Sequence, residues 1–281
     1  MEDMKNQRLK LSTTKGAFLL WAFALHLASA PAPAQPYPSA QPDPWVDRIV
    51  SITWGNPRDE AFGSMGVVFG SPRGSTPGIS GSLDVLNIGV GGEIVLAFTN
   101  NVLFDGPGPD LTIFENPFYR VDQGGAPQFD KVFCEPAFVS VSDTGTTWVT
   151  FHTDYSGPYP LPAGQYPDPD WFSGFAGIRP VFSNPSNGID PLDPAVSGGD
   201  AFDLADLSAE AAALGVDLDN IRFVRIRDVI VNSGTDDDGD TIPAAPAAAN
   251  GFDLDAVAAL NWRPAADAVT AADAQLWSAF E

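Results

Sequence analysis

The chain has 281 residues, with 36 Asp and Glu against 14 Lys and Arg, a formal net charge of −22. That balance argues against nucleic acid and anionic membrane surfaces as partners, since both repel a polyanion. The only cysteine is Cys134, so no intramolecular disulfide can staple the fold, and it reads as a small buried thiol beside Phe133.

Residues 1–34 carry Lys5, Arg8, Lys10 and Lys15 ahead of an apolar run from Ala17 to Ala28, and Ala32-Pro33-Ala34 offers a cleavage site before Gln35. This is the pattern of a signal peptide, and the run is too short for a membrane span. Cleavage would take four bases and two acids, leaving a net charge of −24 and no membrane span. An exported product is expected, located outside the cell, at its surface or in the periplasm. Residues 35–44 are proline-rich and read as an extended leader.

From residue 45 the apolar runs are short and rich in β-branched and aromatic residues: 46–52, 83–88, 94–99, 111–114, 137–141, 148–152, 221–230 and 252–257. Gly, Pro, Asn and Asp clusters separate them, which predicts one all-β domain over 45–263, a sandwich or barrel. Ser142-Asp143-Thr144-Gly145 predicts a hairpin turn. The segment 155–194 is long, aromatic and proline-rich, either a lid over the core or a binding face. Only Leu204–Leu214 reads as a helix, short and stopped by Gly215. The tail over 264–281 is alanine-rich, with no long apolar segment or basic terminal cluster, so no anchor or sorting signal is expected within it.

Three acidic motifs stand out: Asp105-Gly-Pro-Gly-Pro-Asp110 running into Phe114-Glu115-Asn116, then Gly199-Asp200-Ala201-Phe202-Asp203, then Gly251-Phe252-Asp253-Leu254-Asp255. Carboxylates among glycines and strand formers suit a hard cation, which needs several oxygens on a backbone free to bend. Asp105, Asp110, Glu115, Asp200, Asp203, Asp253 and Asp255 are therefore candidate ligands of Ca2+. Asp253 and Asp255, two apart on a strand, would share a face, and the matching Phe-Asp-Leu triplets at 202 and 252 would bring Asp203 and Asp253 to one ion. Turns, solvated strand faces and a helix N-cap at Asp203 are the competing readings. The run Asp236–Asp240 is not an EF-hand, because Thr241 and Ala247 stand where glycine and glutamate belong. After cleavage His152 is the only histidine, which excludes a histidine-rich zinc site.

In order, Asp47–Ser51, Leu86–Gly89, Gly91–Phe98, the 105–110 loop, Phe114–Asn116, Glu135–Ser142, Gly198–Ala205, Val224–Ile226 and Gly251–Val257 resemble a largely uncharacterised family of exported bacterial cell-surface proteins, some with PEP-CTERM sorting tails. The resemblance covers roughly residues 45–262. It implies a single jelly-roll-like β-sandwich similar to galactose-binding modules, with no activity and no catalytic residues to carry over. The resulting expectation is a non-enzymatic, Ca2+-stabilised module that contacts envelope or matrix polysaccharide through Tyr159, Tyr166, Trp171 and Phe172. A polysaccharide hydrolase using paired carboxylates, and a self-associating matrix protein, are the alternatives.

Overall fold

Short runs of alternating or wholly apolar residues cannot bury themselves alone, so they form ladders that pair distant parts of the chain. The computed structural model describes residues 41–75, 81–246 and 250–266; the proposed signal segment and most of the alanine-rich tail lie outside them. In chain order the strands are β1 (Arg48–Thr53), β2 (Leu86–Asn87), β3 (Glu93–Ala97), β4 (Asn101–Leu103), β5 (Leu111–Phe114), β6 (Phe118–Val121), β7 (Pro127–Phe133), β8 (Ala137–Ser142) and β9 (Val149–Thr150). They continue with β10 (Asp154–Tyr155), β11 (Phe172–Ser173), β12 (Phe175–Ala176), β13 (Asp200–Phe202), β14 (Phe223–Asp228), β15 (Asp253–Leu254), β16 (Ala256–Ala259) and β17 (Trp262–Pro264). The helices are α1 (Pro194–Ser197) and α2 (Ser208–Leu214).

The larger sheet runs β1-β3-β14-β8-β12, with β9 added to β8, and the smaller runs β13-β5-β16. All pairings are antiparallel. Their shared core explains the sequence pattern. Ile94 and Leu96 of β3, Val224 and Ile226 of β14, and Val139 and Val141 of β8 point inward from the larger sheet. They meet Leu111 and Ile113 of β5 and Val257 and Ala259 of β16. Each large aliphatic side chain buried this way contributes about 1.5–3 kcal/mol. The all-β fold expected from the sequence is thus observed as two packed layers.

Strand β5 is buried on both faces. Its Phe114 joins Val181, Ala256 and Ala258 in a separate cluster behind the smaller sheet, which is why Leu-Thr-Ile-Phe does not alternate with polar residues. The expected hairpin forms: Val141 pairs with Val149, and Ser142 Oγ accepts from the N–H groups of Thr144 and Gly145. The segment 155–178 folds back as a cover. Tyr155, Phe172, Phe175 and Ile178 pack with Tyr119, Val132 and Cys134 in a second core.

The expected helix is present as a 3-10 turn over Leu204–Leu207 followed by α2, with α1 as a further single turn. Gly215 ends it at φ 75°, donating to Ala211 O at 2.8 Å. A Cβ at Gly215 would touch nothing, so Gly215→Ala is expected to cost only the left-handed backbone penalty, about 1 kcal/mol. A urea midpoint that falls by that amount at constant slope would confirm it, and an unchanged midpoint would not. Among the described residues no helix is long and apolar enough to cross a membrane.

Candidate metal centre

The two ends of β5 place two acidic clusters. Asp110 precedes the strand and Glu115 follows it. Strand β13 runs antiparallel with Phe202 opposite Leu111, which carries Asp203 to the Asp110 end. Strand β16 runs antiparallel with Ala256 opposite Phe114, which carries Asp253 to the Glu115 end. Register therefore separates Asp203 from Asp253, and the single ion expected between them is replaced by two distinct clusters.

At the first end, one carboxylate oxygen each from Asp105, Asp110 and Asp203 lies within 4.8 Å of the others. Two of these side chains are committed to backbone. Asp110 is fully buried and accepts from Gly106 N at 2.8 Å, Leu204 N at 2.8 Å and Asn261 Nδ2 at 2.7 Å. Asp203 caps the 3-10 turn by accepting from Ala205 N at 3.0 Å, the N-cap role weighed for it from the sequence. This cluster is a hydrogen-bonded clasp that closes the 105–110 loop.

The second cluster differs. Oxygens of Glu115, Glu135 and Asp253 lie within 4.8 Å of one another, and the first two residues are buried. Glu115 Oε1 accepts from Asp253 N at 3.1 Å, whereas its Oε2 is shielded from solvent and has no hydrogen-bond partner. Glu135 Oε1 accepts from Gly251 N at 3.2 Å and from Asn250 N at 3.4 Å. The two oxygens of Asp253 accept from Asn87 Nδ2 at 2.8 Å and Asn116 Nδ2 at 3.3 Å. Gly251 lets this loop press close: at φ 80° its missing Cβ would lie 2.5 Å from the carbonyl carbon of Gly89.

No Lys or Arg forms an ion pair with these three carboxylates among the described residues. Burial, then the charges of Asp253 and Glu135, push the Glu115 carboxyl well above its ordinary range. Burial and the Asp253 charge push Glu135 up to about 7. Burial also raises Asp253, against the pull of Asn87 and Asn116. At neutral pH three facing carboxylates require a positive charge, and either protons or a metal ion can supply it. The donors are all oxygens, the set suited to a hard cation. Neighbouring Cys134 stays a thiol, because burial holds its pKa well above the usual value, so it adds no thiolate ligand.

The remaining candidates take other places. Asp200 accepts from Ile178 N at 2.9 Å and Arg179 N at 3.2 Å, clasping the chain that leaves β12. Asp255 is fully buried with both oxygens on Arg73 N, at 3.1 and 2.9 Å, so it faces a different partner from Asp253. Neither joins a cluster. Asp236, in the run that is not an EF-hand, accepts from Tyr155 N at 2.7 Å and ties that loop to β10.

Of the aromatic candidates, Tyr159 is 48% exposed. Tyr166 is half-buried with the Arg120 guanidinium 5.2 Å from its ring centroid. Trp171 is half-buried against the edge of Tyr155. Phe172 is a buried core residue packed at a tilt on Tyr155 and edge-to-face with Phe175, which leaves no ring face at the surface for a ligand.

Glu135, Asn87 and Asn116 are the site residues that sequence reasoning did not select. Asn116 directly follows Glu115, and Glu135 abuts the strand-forming run 137–142, positions from which a side chain can reach the end of a sheet. No protein-family model and no curated protein matches the chain.

Proposed function

We propose that this chain is an exported, non-enzymatic β-sandwich module whose fold is locked by Ca2+ at Glu115, Glu135 and Asp253, and which contacts extracellular polysaccharide. The observation that carries the cation reading is Glu115 Oε2, a buried acceptor without a donor, set among two further carboxylates. Ca2+ binds oxygens at 2.3–2.6 Å, so two ligands on opposite sides of it lie about 4.6–5.2 Å apart. Three carboxylate oxygens within 4.8 Å of one another can share a divalent cation, and the flexible coordination of Ca2+ tolerates such a set better than the strict octahedron of Mg2+. The ion would join the end of β5, the approach to β8 and the start of β15, three segments remote in sequence. Export is supported by the basic and apolar amino-terminal pattern.

Asp110 and Glu115 are too deeply buried to attack a polysaccharide, which favours a module without hydrolytic activity at these residues. Tyr159 and Tyr166 remain available for sugar contact at the surface.

The test is a thermal melt of residues 35–281 in EGTA, then with Ca2+ or Mg2+ restored. A ligand held only by the folded state at a hundred times its Kd adds about 2.7 kcal/mol. The expected Ca2+-specific rise is therefore about 5–10 °C for a domain of this size. An unchanged midpoint at millimolar Ca2+ would overturn the cation reading.

A further inference from the structure

Among the described residues Arg58, Arg73 and Arg179 form ion pairs with carboxylates, and Arg48, Arg225 and Arg227 do not. These last three share one surface. The register of the larger sheet sets out three outward rows across β1, β3, β14, β8 and the strands beyond it. The first holds Arg48, Ala97, Phe223 and Ser142. The second holds Ser51, Val95, Arg225, Ser140 and Thr150. The third holds Thr53, Glu93, Arg227, Phe138 and Phe175. Glu93 is the only carboxylate in these rows, against three guanidinium groups.

None of the three arginines makes an ion pair within 4.0 Å among the described residues. They are held by aromatic rings and a hydroxyl instead. Arg225 lies 4.7 Å from the Trp148 ring centroid and donates to Ser140 Oγ at 3.2 Å. Arg227 is exposed and lies 5.1 Å from the Phe138 centroid. Arg48 Nε is shielded from solvent with no acceptor. Stacking fixes a guanidinium plane while leaving its N–H edges available, which lowers the cost of meeting a carboxylate. The far end of this face, at Phe138 and Phe175, is closed by the second core; nearer β1 and β14, Ser51, Thr53 and Arg227 are exposed, while Val95 and Ala97 of β3 are buried.

We infer that this face is a docking surface for a carboxylated polysaccharide, a uronate chain. Arg48 and Arg227 lie four residues apart along the strands, about 13 Å, and two strands apart across them, about 10 Å. Together these give about 16 Å, a span of several sugar units, and the half-buried Trp148 and Phe223 lie beside the arginines as apolar contacts for the sugars. At physiological salt, charges beyond about 8 Å are screened, so the charges that count most are those at the face itself: three guanidinium groups against Glu93 in the rows and Asp143 beside Arg48. The inference rests on the reading of the chain as a polysaccharide-contacting module and is independent of the cation site.

Oligogalacturonate and a neutral oligosaccharide of equal length would be titrated into the Ca2+-treated protein by calorimetry, beside gel filtration of the protein alone over a range of concentrations. Binding of the oligouronate only is expected, weakened at least about tenfold in Arg225→Gln/Arg227→Gln. Arg227→Gln alone, at an exposed position, should give a smaller loss in the same direction and guards against misfolding of the double variant. Equal binding of the neutral chain, or no loss in the variants, would overturn the assignment. So would self-association that the double variant abolishes, because the face would then belong to a second copy. A Ca2+ melting shift that persists while oligouronate fails to bind would defeat this inference alone, and the reverse pattern would defeat only the cation reading.

Discussion

Replacing Asp110 with alanine is expected to lower the stability of the domain by about 3 kcal/mol, because it strips the acceptor from three donors at once. Leu204 N is fully buried and would find no substitute, whereas Gly106 N and Asn261 Nδ2, at the partly buried side, can recruit water. The melting temperature should fall by about 6–12 °C. Asp105→Ala is the control. Among the described residues its side chain accepts no hydrogen bond, so its loss should change stability by less than about 0.5 kcal/mol. Equal losses from the two variants would mean that the cluster is held by a bound cation and not by the clasp described above.

The second large effect is expected at the other end of β5. In Glu115→Gln the Ca2+-induced rise in melting temperature should vanish, while the metal-free variant should melt at or above the metal-free wild type. The amide oxygen still accepts from Asp253 N, and the substitution removes one of three facing carboxylates. A variant that kept the full Ca2+ shift would remove Glu115 from the site.

The pH dependence follows from the direction of the shifts. Glu135 and Asp200 are pushed up to about 7 and Asp228 to about 6, in each case chiefly by burial. A carboxyl whose pKa is higher folded than unfolded holds more protons in the folded state. Its contribution is complete below the unfolded value, near 4, and is lost as pH rises through 6 and 7. For Glu135 the change is about 3 kcal/mol, taking about 1.4 kcal/mol for each pH unit between 4.5 and 7. The metal-free protein should therefore melt highest in mild acid and fall toward pH 8. Calcium must displace the same protons, so its stabilising shift should grow over that range. A metal-free profile that rises between pH 5 and 8 would contradict the burial of these groups.

Much of the fold is legible because its central strands announce themselves. Leu111–Phe114 and Ala137–Ser142 are β-branched and aromatic runs bounded by turn residues, and Gly215 marks the helix end. The hairpin of β6 and β7 escapes notice because Phe118–Val121 and Pro127–Phe133 are broken by Arg120, Pro127, Asp130 and Lys131, as suits strands outside both main sheets. The acidic motifs are visible in the sequence, but their jobs are not. A carboxylate that clasps backbone N–H groups and one that faces a cation both favour glycine-flanked turns. Only the tertiary partner decides between them. Asp255 meets Arg73 N from 182 residues away, and Asp253 N meets Glu115 from 138. The same limit hid Glu135, one glutamate among several until the fold brought its carboxylate within 4.8 Å of Asp253.

The pairing of the earliest described segment with nearly the last one has a consequence for biogenesis. Val46 N donates to Val257 O, Ala259 N donates to Pro44 O, and Trp45 bridges to Ala258. β14 joins β3 and β8 only after about 130 and 85 intervening residues have been made, so few of the sheet's contacts are local. A nascent chain of this kind cannot close while it is still emerging in order from a ribosome. It remains threadable until residue 259 is free, and then both ends of the β-sandwich seal in one late step.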